Sequence, residues 1–168
     1  ELLHIGEVNR VGYVVVTSDR GMAGSFNANV LKVAHSEIDG IGKKNVDVFC
    51  IGKKARDYFK RRDYNIVESH TDFWNELNYS HAINIGEGVI SHFTHKNVEE
   101  IHVVYNEFVN VAAQNVRSEV LLPLVFEAEK VQTVGRLFEP NKEDIVKSLI
   151  PRHLNIQMWK YLLESYAS

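Results

Sequence analysis

An open, doubly wound α/β sheet of mostly parallel strands, with an antiparallel edge strand and helices after it, is the fold class this sequence predicts. Three observations predict it. Apolar strand patterns alternate with helical ones in the order of a parallel sheet: strand, helix, strand, helix, strand, helix, strand. The first two runs, Tyr13-Val14-Val15-Val16 and Val46–Ile51, are close to continuously apolar, as strands covered on both faces are. The last two, 101–109 and 113–122, are too close for a helical crossover and should pair antiparallel.

The elements follow in order. Residues 11–18 form the first strand, and burying each of its large apolar side chains is worth roughly 1.5–3 kcal/mol, which argues for a central place. After a loop over 19–26, Asn27 is placed to cap a helix in which Val30, Leu31, Ala34, Ile38 and Ile41 recur at helical spacing. Gly40 and Gly42 end it. Val46–Ile51 is the second strand. A short helix follows with Ala55, Tyr58 and Phe59 on one face, and residues 65–69 are a third strand. Residues 71–78 read as loop, and Ser80 caps a helix whose apolar row is Ala82, Ile85, Val89 and Phe93. In the last strand Val116, Ser118, Val120 and Leu122 alternate with Arg117, Glu119 and Leu121, the pattern of one wetter face.

Residues 124–136 carry no firm period and read as a long connection or an extra hairpin. Asn141 and Asp144 are spaced like a capping pair. Ile145, Val146, Leu149 and Ile150 form an apolar side, and Pro151 marks a break or a new start. Beyond it Leu154, Met158, Trp159, Leu162, Leu163 and Tyr166 make a broad apolar stripe reaching the last residues. Such a stripe needs a partner helix.

At 168 residues, 45% hydrophobic and 24% charged, the chain has the length of about one domain with a real core. It divides into an α/β body, 1–140, and a helical segment, 141–168. A net charge of −3 argues against a nucleic-acid partner held by phosphate electrostatics. Cys50 is the single cysteine, which excludes an internal disulfide framework or a Cys-cluster metal site. Its apolar neighbours make it a buried core thiol. No stretch approaches the roughly 20 apolar residues of a membrane span, so direct insertion is not expected. Residues 1–8 lack the basic end and apolar core of a signal peptide. The sequence starts without Met and stops inside a helical pattern, so it reads as a fragment or a chain missing its ends.

The most distinctive segment is TSDRGMAGSFNANV, residues 17–30. A strand-to-helix turn with small residues at Gly21, Ala23, Gly24 and Ser25 lets backbone N–H groups face an anion at a helix N-terminus. The segment has neither a Gly-Lys-Ser/Thr ending nor G-x-G-x-x-G spacing. Ile51-Gly52-Lys53, at the end of the second strand, offers no acidic residue for a ribose. The plain alternative is that these glycines permit positive φ and close helix packing.

This segment resembles the signature of the F-type ATP synthase gamma subunit, which reads close to TSDRGLCGGLNTN. Thr17, Ser18, Asp19, Arg20, Gly21, Gly24, Asn27 and Asn29 match; Ala23 stands for a cysteine and Ser25 for a glycine. Further resemblances follow in order. IGKKARDYF, residues 51–59, is similar to the family's IGRKGRDFF, and VYNEFV, 104–109, to its VYNKFV. Leu121-Leu122-Pro123-Leu124 matches its LLPL, and Phe138-Glu139-Pro140 its YEP. The stretch IPRHLNIQMWKYLLESYAS, 150–168, is similar to LPRYLNSQIYRALLESAAS. Together they cover nearly all of the chain.

The resemblance implies a rotor subunit with no catalytic site and no cofactor of its own, in an ion-translocating (proton or sodium) synthase. Its partners would be the alpha and beta subunits of the catalytic ring, the epsilon subunit and the ring of c subunits. Its place would be peripheral, on the cytoplasmic face of a bacterial inner membrane or the matrix face of the mitochondrial one. Family members begin and end with long helices wound together as a shaft. This sequence starts after the first and stops as the second begins, so the stripe from Leu154 to Tyr166 is the base of that coiled coil. Trp159, Leu162, Leu163 and Tyr166 then meet the partner helix. Asp19 and Arg20 lie on the loop facing the catalytic ring, with Arg20 the polar contact to a beta-subunit carboxylate. Asp19 has an alternative use, an Asx-type bond to its own turn. Leu137, Phe138, Glu139 and Pro140 lie toward epsilon and the c ring.

Other features weigh less. Lys53, Lys54, Arg56, Lys60, Arg61 and Arg62 make a basic surface, read as a solvated face or a seat for an acidic subunit rather than for RNA or anionic lipid. His92 and His95 are one helical turn apart, without an evident third metal ligand. Glu99-Glu100 and Glu143-Asp144 read as a loop pair and a helix-start cluster rather than an acid/base dyad. Ser18 has no histidine placed in sequence to activate it. The rival reading is a small α/β domain that binds a nucleotide or phosphate at its Gly21–Gly24 turn.

Overall fold

The computed structural model describes residues 9–19, 24–95, 97–110, 113–123 and 142–167. Within them five strands form one sheet: β1 (Val11–Val16), β2 (Val46–Ile51), β3 (Asn65–His70), β4 (Glu100–Asn110) and β5 (Ala113–Leu122). Their order across the sheet is β3-β2-β1-β4-β5. β1 pairs in parallel with β2 and β4, β2 with β3, and only the edge strand β5 runs antiparallel. The helices are α1 (Gly24–Ile41), α2 (Lys53–Arg61), α3 (Tyr79–Thr94) and α4 (Lys142–Ala167).

Strand order explains which face each helix covers. Crossovers between parallel strands are right-handed. The chain steps outward from β1 to β3, putting α1 and α2 on one face, then returns past β1 to β4, which puts α3 on the other. Alternate residues of each strand fill two separate cores. Tyr13, Val15, Val48 and Cys50 pack under Val30, Ala34 and Ile38 of α1 and Ala55 and Phe59 of α2. Val14, Val16, Phe49, Ile51, Val103 and Tyr105 pack under Ala82, Ile85, Val89 and Phe93 of α3 and Leu154, Met158 and Leu162 of α4.

Several local expectations are corrected. Asn27 is not a cap: α1 begins at Gly24, and the Asn27 side chain turns back to the end of β1. Gly40 lies inside α1, and Gly42, at φ 112°, follows its last residue. Asn78, not Ser80, caps α3; its side chain accepts from the Ser80 N–H at 2.9 Å while His81 Nδ1 accepts from the Asn78 N–H. A 3-10 turn, Trp74–Glu76, interrupts the preceding loop.

In β5 the alternation slips. Ile101 pairs with Leu122 but His102 with Val120, so Leu121 is the extra residue of a bulge. Both leucines enter the α3/α4 core, while Val120 stays half exposed. Pro151 breaks nothing, since α4 runs through it. An interior proline costs about 3 kcal/mol in lost bonding and crowding. Buried Ile150 and Leu154 on either side anchor the helix and offset it. The expected 124–136 connection and the Asn141 cap lie outside the described residues.

Candidate partner interface

Helix α2 has no local cap. Gly52 precedes it at φ 91° and offers no side chain. Yet its first N–H groups, which no helix can satisfy internally, all have partners, and these come from the end of β1. Asp19 Oδ1 accepts from the Lys53 N–H at 2.9 Å, the Ser18 carbonyl from Lys54 at 3.2 Å, and Thr17 Oγ1 from Ala55 at 2.9 Å. Three consecutive residues of the distinctive segment thus cap a helix that starts 34 residues later.

Other contacts lock the same corner. The Thr17 hydroxyl donates to the Ile51 carbonyl at 3.0 Å, with Thr17 itself buried. Asn27 accepts from the Ser18 N–H and donates to the Ser18 hydroxyl at 2.7 Å. Asp19 Oδ2 accepts from the Asp72 N–H at 2.8 Å, and Lys53 Nζ pairs with Asp72 at 2.7 Å. The hydrogen bond from Lys53 holds the Asp72 carboxyl below its usual range. Gly52 is required here: a Cβ would stand 2.1 Å from the Thr17 carbonyl oxygen. Asp19 therefore joins the ends of three strands, accepting from the starts of the segments that follow β2 and β3. Arg20, Gly21 and Ala23 lie outside the described residues, as do Leu137, Phe138, Glu139 and Pro140.

The second part of the site is α4. Leu154, Met158 and Leu162 are fully buried, and Tyr161 joins them, donating to Glu119 Oε1 at 3.4 Å. Leu162 is thus part of the domain core, with no surface left for an outside helix. Outside that buried row runs a second one: Ile156, Trp159, Leu163 and Tyr166, spaced three, four and three. Ile156, Leu163 and Tyr166 are 53%, 43% and 60% exposed. Trp159 is half-buried, edge-on to Tyr79 at 5.8 Å, and Tyr166 stacks at 6.4 Å on Trp74. Trp74 Nε1 and Ser165 Oγ are buried without a partner in the same region. Ile156 and Tyr161 were absent from the sequence reading, although both stand at heptad spacing from residues it named.

Several of the remaining candidates make internal contacts. His92 Nε2 meets Asp47 Oδ2 at 2.8 Å, and His95 turns to Ser91, so the two share no ligand. Of the basic residues, Lys53 is paired, Arg56 meets Asp57, and Arg62 lies over the Tyr58 ring at 3.6 Å. Among the described residues no three His, Cys, Asp or Glu side chains gather as a metal site, and no helix is long and apolar enough to cross a membrane.

Fold and site together define a doubly wound α/β domain with a long terminal helix, seated in its core and apolar on its outer side. Residues 1–168 match the family model described as ATP synthase, and the chain belongs to that family. It is 39% identical to the ATP synthase gamma chain of Prosthecochloris aestuarii, over 96% of this chain and 58% of that one. With the gamma chain of Chloroherpeton thalassium it shares 36%, over 96% and 59%. The chain thus spans less than two thirds of the length of these relatives.

Solved structures show the same fold. A chain from the central stalk and c-ring of the Tetrahymena thermophila mitochondrial ATP synthase superposes with a TM-score of 0.77 at 18% identity, over 98% of this chain and 73% of that one. One from the rotor of the Euglena gracilis enzyme gives 0.67 at 16%, over 94% and 62%.

Proposed function

We propose that this chain is the globular part of a gamma subunit, the central-stalk rotor of a proton- or sodium-translocating F-type ATP synthase. The observation that carries the reading is the match to the ATP synthase family along the whole chain, with relatives that are gamma chains. The shape of α4 supports it. Its inner row is fixed in the sheet's core, and its outer row is apolar at the three-four spacing of a coiled coil. The occupant of that outer row is a helix of the same protein beyond these residues, for which the greater length of the relatives leaves room.

In this reading the chain has no catalytic site. A shaft couples distant sites by binding their conformations with different free energies, and that demands a stiff body. Residues 1–140 supply the body, and 141–168 lead into the shaft. Arg20 meets a beta-subunit carboxylate of the catalytic ring, residues 137–140 face epsilon and the c ring, and the assembly lies peripherally on the membrane.

The test is the ratio of ion-driven ATP synthesis to hydrolysis in vesicles carrying the assembled enzyme. Arg20→Ala and Leu163→Asp should each lower that ratio severalfold. A ratio equal to wild type in both would remove Arg20 and the outer row from the mechanism.

A further inference from the structure

On the face of the domain away from α4, helices α1 and α2 border an open groove of about 540 Å³, lined in part by Leu31, Lys32, His35, Ser36, Asp39 and Tyr58. Across it the Tyr58 hydroxyl lies 2.6 Å from His35 Nδ1, and the other ring nitrogen, Nε2, lies 3.1 Å from Asp39 Oδ2. A carboxylate only accepts, so Nε2 carries a proton, and in the neutral imidazole Nδ1 then presents its lone pair to the phenol. Hydroxyl, imidazole and carboxylate in that order are the connectivity of an activated nucleophile, its base and the group that orients the base. The Arg62 guanidinium stacked at 3.6 Å on the Tyr58 ring favours negative charge as it develops there. Lys32 adds a cation at the groove wall.

Apart from its hydroxyl, the Tyr58 ring is also held in a T-shaped contact with Phe59 at 5.1 Å.

We infer that Tyr58 is a primed phenol nucleophile, with His35 as its base and Asp39 as the positioning residue, accepting phosphoryl- or sulfonyl-type groups from an activated donor in the α1/α2 groove. In the step, Tyr58 Oη attacks the phosphorus or sulfur. A new O–P or O–S bond forms, and the bond to the leaving group breaks with its electron pair. The phenol proton passes to His35 Nδ1, and Asp39 holds the resulting imidazolium. Nothing is oxidised or reduced. The groove and α4 share no residue, so this site stands or falls independently of the rotor reading.

The experiment uses the full-length protein and an arylsulfonyl fluoride at neutral pH, with fluoride as the leaving group and peptide mapping to time each label. Exposure alone would favour Tyr166, at 60%, and Tyr79, at 38%. The expected result is Tyr58 labelled first, roughly a hundredfold faster than Tyr166, as base catalysis supplies. Tyr58→Phe should keep the circular dichroism spectrum and lose this label. His35→Ala should fall to the Tyr166 rate and recover when free imidazole is added. The inference is overturned if Tyr79 or Tyr166 reacts as fast as Tyr58, if His35→Ala keeps the full rate, or if imidazole restores nothing to a folded variant.

Discussion

Two phenols tie a helix to the sheet, and a third bonds between its last two strands. Tyr13 donates to Glu37 of α1 at 2.8 Å, Tyr105 to Glu119 at 2.9 Å, and Tyr161 of α4 to the same Glu119. Burial first, and then the adjacent carboxylates, push all three well above their usual value of 10.0. Burial likewise raises the Cys50 thiol from 9.0 to about 12. Each folded-state value exceeds the unfolded one, so each group's contribution is complete below the unfolded value and is lost as pH rises through the folded one. Stability should therefore begin to fall near pH 9 and more steeply beyond pH 10. An alkaline absorbance titration followed alongside circular dichroism should show these three tyrosines ionising only as the fold is lost. Reversible ionisation of all seven tyrosines near pH 10 with an intact spectrum would contradict their placement. At this scale the sequence told half the story. Asp47 sits inside an apolar strand run, and nothing local indicates that Arg10, Asn65 and His92 converge on its carboxylate. Those partners come from three separate segments. Likewise Thr17, Ser18 and Asp19 stood out as a segment, but their task, capping α2, depends on a parallel register that brings the end of β1 beside the start of that helix.

Where elements meet, α3 and α4 approach closely. A Cβ on Gly86 would stand 2.4 Å from Asn155 Oδ1, an atom buried without a hydrogen-bond partner. Gly40, on the exposed side of α1, has nothing within 4 Å of its position. The two glycines should answer substitution with opposite signs. Gly40→Ala is expected to stabilise by about 0.5–1 kcal/mol through helix propensity. Gly86→Val should cost about 1–3 kcal/mol by forcing the helices apart. Urea unfolding midpoints decide this, and a Gly86→Val midpoint at or above that of the parent would show that the crossing is looser than described. Strands and helices were readable because core residues repeat at the element's own period, as Ala82, Ile85, Val89 and Phe93 do. Ends and irregularities were less so. The Asn78 cap competed with Ser80 two residues on, and the extra residue at Leu121 shows only against β4, its partner. Pro151 was read as a break because propensity is local, whereas the packing that keeps α4 continuous is tertiary.

For the molecule as a whole, the rotor reading makes α4 the link between the sheet domain and the shaft. Its inner row shares a core with β4, β1 and α3, so torque or strain applied to the outer part of the helix passes into the sheet instead of bending a hinge. The resemblance over nearly the whole sequence supplied the rotor reading, which composition and periodicity alone could not, since doubly wound sheets serve many functions. The most direct test is coexpression of the full-length protein with the alpha and beta subunits of one of the gamma-chain relatives' synthases, followed by affinity capture and gel filtration. A gamma subunit should emerge with both partners as one stable complex. If the folded full-length protein elutes apart from an intact alpha–beta assembly, the central claim is contradicted.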